Sequence, residues 1–436
     1  MSKEESKIPT NRLSRFGQMA SLATKIGSNV VAEGTKQWMK GNKPSKQELL
    51  LTPTNIKRLA DQLAHLRGAA MKIGQMLSMD AGDLLSPELA DILARLRSDA
   101  NPMLAKQLTQ VMSSSLGDDW KSQFLSFNFK PIASASIGQV HFAHTDAGDP
   151  IAVKVQYPGI RKSIDSDVDN VATLLNLVGL IPKNVDINGL LKQAKEQLHD
   201  EANYKKEAEY LEAYRNHLIN ESQFEVPTVY PAVSSETVLT MSYLEGQPIE
   251  TISDCDQTTR DKVMTALLSL LFRELFEYQL VQTDPNFANY LFNHESKKIV
   301  LLDFGATRTY SDKISQGYQR AFKAVTNNDN HALDSALSQI GFFSQDIESQ
   351  QKAAILNLVE QACEPMLFDG EYDFGTSDLS MRLREAGTIL SMEKNYWHTP
   401  PADALFLHRK IGGLYLLAAR LKAKVNVKAL VAPYID

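Results

Sequence analysis

Apolar residues change their period several times along the chain, and each change marks a boundary. From Ser14 onward, Phe16, Met19, Ala20, Ala23, Ile26 and Val30 recur at steps of three and four, which predicts an amphipathic helix. Arg12, Arg15, Lys25, Lys36 and Lys40 flank its stripe. The polar stretch 41–48 (GNKPSKQE) reads as a linker. After Thr54 the helical period returns in Ile56, Leu59, Ala60, Leu63 and Leu66 and runs on through RGAAMKIGQML at 67–77. Further helices are predicted from Pro87 through Leu96 and from Pro102 to Leu116. Strand patterning begins near Phe127. Ile137–Ala143 alternates, Ile151–Gln156 is rich in β-branched residues, and Asp146-Ala147-Gly148-Asp149 between them predicts a hairpin. Val226–Tyr230 and Thr237–Met241 also read as strands, with helix between Pro158 and Asn216. Beyond Arg260 helices dominate, interrupted by a strand pair at Asn289–Phe292 and Lys298–Asp303. The order predicts an α+β protein: leading helices, a small mostly antiparallel sheet carrying helices, then a large helical lobe.

Composition removes several classes. Of 436 residues, 43% are hydrophobic and 22% charged, as in ordinary globular chains, so a mostly disordered protein is excluded. No apolar run approaches the roughly 18 residues that a bilayer span needs. Cys255 and Cys363 stand far apart, with no disulfide framework and no CxxC zinc signature, which fits a reducing cytosol. The net charge of −6 lacks the basic excess of a nucleic-acid binder. Residues 1–50, however, hold nine Lys or Arg against four Glu, leaving the acidic excess to the rest of the chain. A basic head with an apolar stripe is expected either to pack on the protein or to lie on an anionic membrane through residues 12–40.

The chemistry concentrates in the second half. Asp284-Pro-Asn-Phe-Ala-Asn289 spaces an Asp and an Asn five apart, and Asp303-Phe304-Gly305 follows the apolar strand Ile299–Leu302. D-x-x-x-x-N followed by D-F-G matches the catalytic and metal-binding segments of kinase folds. Mg²⁺ takes hard oxygen ligands, which suits the Asp303 carboxylate and the Asn289 amide oxygen. Asp284, near the acceptor, would take or orient a proton. Upstream, Ala152-Val153-Lys154-Val155 has the A-x-K form of a phosphate-holding lysine, and Glu207, on a helix predicted over 190–213, is its expected acidic partner. The loop Ala133-Ser134-Ala135-Ser136-Ile137-Gly138 stands where a phosphate-covering loop belongs, although it has one Gly in place of three. Tyr243-Leu244, where a strand leaves the small lobe, would present backbone groups to adenine. No A-P-E sequence and no long activation segment follow Asp303-Phe304-Gly305, which argues against peptide substrates.

With these residues together, the chain resembles the AarF/UbiB/ADCK family of atypical kinases, over about residues 55–430. The most specific marks are Lys72-Ile73-Gly74-Gln75 (K-x-G-Q), the Ala-rich loop at 133–136, AVKVQYPG at 152–159, QTDPNFANYLF at 282–292 and LLDFGATR at 301–308. The resemblance implies an atypical, two-lobed protein-kinase-like fold with an N-terminal helical extension. The expected divisions are a basic amphipathic segment at 1–50, the K-x-G-Q extension at 51–126, a kinase-like N-lobe at 127–245 and a helical C-lobe at 246–436. It implies that Lys72 and Gln75 lie over the active site, where a peptide would otherwise bind, and face an E-x-D motif. Here that motif reads Glu201-Ala202-Asn203, with Asn203 replacing the family's Asp. Asn203 and Glu207, four apart, are expected on one helical face. The Asn removes one charge facing Lys72 or a metal. It can still accept a hydrogen bond but weakens the electrostatic pairing there, so the Lys72–Glu201 contact is less firmly expected than the Lys154–Glu207 pair.

The resemblance also implies binding of ATP and Mg²⁺, ATP hydrolysis with little protein kinase activity, and support of ubiquinone biosynthesis near membranes. A quinone or isoprenoid-lipid precursor is then the expected partner. Bacterial relatives often carry C-terminal transmembrane helices and mitochondrial ones a transit peptide. Neither is evident here, so a bacterial form is expected, cytoplasmic or peripherally attached at the inner face of the membrane. Three readings remain: an ATPase or kinase of quinone metabolism, a small-molecule phosphotransferase, and a nucleotide-switched scaffold at a membrane. The intact Asp284, Asn289 and Asp303 speak against a dead enzyme. The run Leu405–Ala419 reads as ordinary helical core, and His141 and His144, three apart in a strand, cannot form an easy metal pair.

Overall fold

The computed structural model describes residues 12–39, 45, 49–50, 52–80, 102–177, 187–343, 347–392 and 400–435. The helix expected at 87–96 and most of the linker at 41–48 lie outside them. The chain divides into two compact units. The first comprises residues 1–208 with 229–243, and the second 209–228 with 244–436.

In the first unit, the predicted amphipathic helix spans Arg12–Met39. It is tied to the helix Pro53–His65, because the Asn29 amide donates to Thr52 Oγ1 (3.0 Å) and Asn55 Oδ1 (3.1 Å), and Arg58 donates to the Lys25 carbonyl. Ile26 is buried, whereas Val31 and Trp38, seven residues apart, stay exposed. The side chains of Phe16, Met19, Ala20 and Ala23 lie outside the described residues. The helix Arg67–Asp80 carries the K-x-G-Q sequence.

Among the described residues, the sheet of this unit has five strands. Gly138–His144 and Pro150–Gln156 form the predicted hairpin, with Val140 opposite Lys154. Pro150–Gln156 also pairs antiparallel with Val238–Ser242, and Ala133–Ser134 and Ser126–Phe127 add to the far side of Gly138–His144. Ile151, Val153 and Val155 alternate into the core and leave Lys154 on the opposite face.

Two sequence expectations fail here for identifiable reasons. Val226–Tyr230 is not a strand. Phe224–Glu225 pairs with Ile299–Val300 in the second unit, and Val229 makes a single bridge to Met241 in the first. Pro227, which has no N–H to give a ladder, separates the two. The helix expected over 190–213 is two helices, Ile187–Glu201 and Tyr204–His217. The break is satisfied from both sides. Gln156 Nε2 donates to the Ala202 carbonyl (2.8 Å), and Asn203 Oδ1 accepts the Lys206 N–H (3.2 Å) as a helix cap.

In the second unit, Tyr290–Asn293 and Lys298–Leu301 form an antiparallel pair within a four-stranded sheet, counted among the described residues. Leu280–Gln282 pairs with Thr307–Thr309, with Gln282 opposite Thr307. The helix Gln257–Arg273 runs into a π-helical turn at Glu274–Tyr278 and then reverses at Gln279, whose φ is 49°. The long helix Ala402–Arg420 packs Gly413 against Pro285. A Cβ at 413 would stand 2.3 Å from the proline Cβ. No helix among the described residues is long and apolar enough to cross a membrane.

Candidate active site

In the first unit, the sheet register brings Lys154 to Glu207 in the first turn of the helix Tyr204–His217. Lys154 Nζ lies 2.6 Å from Glu207 Oε1, and both side chains are buried. The ammonium also stands 5.2 Å from the centre of the Tyr204 ring. A buried lysine bonded to a carboxylate is held in one direction.

The Ala-rich loop is a tight hairpin. Ala133 and Ser134 pair with Val140 and Gln139, and Ala135 N–H donates to the Gly138 carbonyl (2.9 Å). Gly138 has no room for a side chain, because a Cβ there would meet the Val155 carbonyl at 2.4 Å. The K-x-G-Q helix closes on this loop. Gly68 approaches the Ser136 carbonyl so nearly that a Cβ would stand 3.0 Å from it. One carboxylate links the two: Glu201 Oε1 pairs with Lys72 Nζ (2.6 Å) and Glu201 Oε2 accepts from Ser136 Oγ (2.5 Å). Lys72–Glu201 is therefore as short as Lys154–Glu207. Asn203 lies beyond the helix break and caps the next helix. It does not share one continuous helix with Glu201. Gln75 lies on the helix Arg67–Asp80, but its side chain is outside the described residues. Tyr243 N–H donates to the Pro150 carbonyl (3.0 Å), its ring meets Phe142, and the chain passes to the second unit between Tyr243 and Leu244.

In the second unit, Asp284, Asn289 and Asp303 share one neighbourhood. Asn289 Nδ2 donates to the Asp284 carbonyl (3.5 Å), and the Asn289 carbonyl accepts from Leu302 N–H (3.1 Å), one residue before Asp303. Asp303 Oδ1 accepts the Gly305 N–H (2.9 Å). Thr283 Oγ1 donates to the Ala306 carbonyl (2.6 Å), which ties the Asp284 segment to the residues after Gly305. With Nδ2 turned to Asp284, Oδ1 is the Asn289 atom suited to a cation. No three His, Cys, Asp or Glu side chains cluster as a metal cage among the described residues. A carboxylate and an amide oxygen instead fit Mg²⁺ that keeps waters and phosphate oxygens as its other ligands.

Beneath this loop lies a polar network that sequence reasoning missed. Tyr214 hydroxyl donates to Glu274 Oε1 (2.6 Å) and accepts the Gln282 N–H (2.7 Å). Lys410 Nζ donates to Gln282 Oε1 (2.9 Å) and to Tyr290 hydroxyl (2.7 Å), and stands 3.9 Å from Glu274 Oε2. Gln282 Nε2 donates to the Asp284 carbonyl (3.1 Å). Burial and then Glu274 hold the Tyr214 phenol well above its ordinary pKa, so it remains a donor. Burial works to discharge Lys410, but Glu274, Tyr290 and Asp284 outweigh it and raise its pKa. The one available signal was a lysine inside the run Leu405–Ala419.

An antiparallel sheet bearing a lysine–glutamate pair, with an Asp…Asn…Asp-Phe-Gly arrangement on a helical unit, defines a kinase-type domain. The family model described as the ABC1 atypical kinase-like domain matches residues 95–337, and the chain belongs to that family. It is similar to the mitochondrial atypical kinase COQ8 of Saccharomyces cerevisiae, 36% identical over 428 residues that cover 98% of this chain and 85% of the yeast protein. The mitochondrial atypical kinase COQ8B of Danio rerio is 34% identical over 433 residues, covering 98% of this chain and 68% of the fish protein. Among solved structures, Rv3197 from Mycobacterium tuberculosis, determined as its erythromycin complex, matches with a TM-score of 0.59 and 25% identity. The match covers 90% of this chain and 98% of that one.

Proposed function

We propose that the chain binds ATP with Mg²⁺ and acts as an atypical kinase or ATPase in ubiquinone, or more broadly quinone and isoprenoid-lipid, biosynthesis. The observation that carries this reading is the hydrogen-bonded grouping of Asp284, Asn289 and Asp303 on a chain that also buries the Lys154–Glu207 pair. Lys154 holds phosphate oxygens, and Glu207 directs it. Asp303 and Asn289 hold Mg²⁺, which offsets the charge of the transferring phosphoryl group. Asp284 accepts or orients the proton of the attacking hydroxyl or water. Ala133, Ser134, Ala135 and Ser136 cover the phosphates, and Tyr243 and Leu244 offer backbone groups to adenine. Lys72, Gln75, Glu201 and Asn203 belong to the extension that restricts access for peptide substrates. The divisions 1–50, 51–126, 127–245 and 246–436 follow from this assignment. Similarity to COQ8-type kinases supports the quinone pathway. The exposed Val31 and Trp38, with Lys25 and Lys36 exposed on the same helix, support peripheral contact with an anionic membrane.

The test is Mg–ATP-dependent thermal stabilisation of the wild type and of Asp303→Asn. The wild type is expected to shift and the variant not. Equal shifts would overturn the metal assignment. Quinone profiles of a deletion strain test the pathway, and a profile unchanged from wild type would remove it. A small-molecule phosphotransferase is the second reading. It is favoured by the short run from Gly305 through the strand Thr307–Thr309 to the helix Asp312–Thr326, which leaves no room for a peptide-seating segment. ADP release that depends on added isoprenyl alcohols or quinone precursors would support it.

A further inference from the structure

The helix Ala402–Arg420 lies outside the matched family domain, yet it meets the Asp284 loop through two independent contacts. Gly413 seats Pro285, the residue after Asp284, against the helix backbone. One turn earlier, Lys410 enters the core, 3% exposed, and reaches Gln282, two residues before Asp284. The same helix holds the segment after Asp303-Phe304-Gly305: Arg308 pairs with Asp403 (3.3 Å), and Tyr310 hydroxyl donates to the Asp403 carbonyl (2.8 Å).

The bonds at Gln282 have only one consistent orientation. Its Oε1 accepts from the Lys410 ammonium (2.9 Å) and from Tyr290 hydroxyl (3.4 Å), so its Nε2 must face the Asp284 carbonyl (3.1 Å). That carbonyl also receives Asn289 Nδ2. Rotating the carboxamide would aim an NH₂ at an ammonium and an oxygen at a carbonyl, which loses two hydrogen bonds and opposes like charges. The ammonium is thus the group that sets the carboxamide. Glu274 in the π-helical turn balances the ammonium from the other side.

We propose that Lys410 is a positioning residue for phosphoryl transfer: through Gln282 it fixes the backbone of Asp284, and with it the direction of the Asp284 carboxylate and the Asn289 amide. The proposal rests on the role given to Asp284 above. A methionine at 410 would keep the stem's packing but release the carboxamide and leave Glu274 buried without its cation. The loop would lose its alignment, and turnover would fall more than nucleotide binding, because misplacement of about 1 Å can cost two orders of magnitude in rate.

The experiment measures ADP release and Mg–ATP affinity, with Mg–ATP as the probe, in the full chain. The variants are Asp284→Asn, Gln282→Ala, Lys410→Met, Lys410→Arg, Lys410→Met with Gln282→Ala, and Lys410→Met with Glu274→Gln. Lys410→Met is expected to lower kcat about tenfold or more with Mg–ATP affinity held within about threefold, and Lys410→Arg to recover part of the loss. In the Gln282→Ala background, Lys410→Met is expected to add less than about a further twofold loss. Wild-type kcat in folded Lys410→Met, or a full additional loss on Gln282→Ala, overturns the proposal. Should Lys410→Met not fold, the Glu274→Gln double variant removes both buried charges and carries the same kcat expectation, and wild-type kcat in Gln282→Ala alone also overturns the link. Turnover retained by Asp284→Asn overturns the underlying role of Asp284. Turnover lost there but intact in Lys410→Met and Gln282→Ala overturns only the role of Lys410.

Discussion

Replacing Lys72 with methionine probes the joint between the K-x-G-Q helix and the Ala-rich loop. In the wild type Lys72 is 3% exposed and its ammonium lies 2.6 Å from Glu201, itself 9% exposed. Removing one member of a buried ion pair typically costs about 3–5 kcal/mol, because the other is left without a counter-charge. Glu201 retains the Ser136 hydroxyl at 2.5 Å, and a hydrogen bond to a charged group is worth about 1.5–3 kcal/mol. The expected cost therefore sits at the low end, about 3 kcal/mol, or roughly a hundredfold in the unfolding equilibrium. Because two units need not unfold together, the readout must be local to the first. Trp120 supplies it: the ring is buried against Phe124 and Phe127 in that unit. In a background with Trp38 and Trp397 changed to phenylalanine, urea unfolding followed by fluorescence isolates this ring. Adding Glu201→Gln to Lys72→Met removes the stranded charge, so the double variant should be less destabilised than the sum of the two singles by about 1.5 kcal/mol or more. A Lys72→Met cost below about 0.5 kcal/mol, with additive singles, would show that the bridge does not hold the helix to the loop.

Adjacent glycines in the helix Ala402–Arg420 should respond oppositely. Gly412→Ala meets nothing within 4 Å and should stabilise by about 0.5–1 kcal/mol from helix propensity, whereas Gly413→Ala must displace Pro285 and should destabilise by about 1–3 kcal/mol in chemical denaturation. Lys154→Met should abolish Mg–ATP-dependent thermal stabilisation and, by stranding Glu207 at 1% exposure, lower intrinsic stability by about 3–5 kcal/mol; a variant that still shifts with Mg–ATP would remove Lys154 from the phosphate site. His141 gives a pH signature. Burial lowers its pKa to about 4, against the hydrogen bond to Asn128 that raises it. Because the unfolded chain takes the proton first, the contribution of neutral His141 is complete above the unfolded value of about 6.5 and is lost as pH falls towards 4. Denaturation midpoints at pH 7 and pH 5 should therefore differ less in a folded His141→Gln variant than in the wild type.

Sequence reasoning named residues that the fold brings together, Lys154 with Glu207 and Asp284 with Asn289 and Asp303, more completely than it read the packing around them. Lys154, Asp284, Asn289 and Asp303 stood out because their residue types and spacing match a kinase pattern, and short strands of clear alternation frame them. Glu207 was legible only through the lysine that needs it. The break after Glu201 was not, since the apolar period of Leu190, Ala194, Leu198, Ala208 and Leu211 runs through it. What stops the helix is the capping bond of Asn203 and a carboxamide from the sheet, 46 residues earlier in the chain. Lys410 was hidden differently. A lysine beside His408 and Arg409 in a helical run reads as part of a solvated face until the residues that neutralise it are located, and those lie on other elements.

The bond from Lys410 to Gln282 spans 128 positions of chain, and the one to Tyr290 spans 120. Contacts so distant in sequence form late, after the closure entropy of the intervening chain has been met. On the ribosome, the Asp284 loop must therefore wait for a helix translated more than a hundred residues afterwards. A nascent polypeptide interrupted between those points would carry every signature residue of its chemistry while lacking the platform that aligns them.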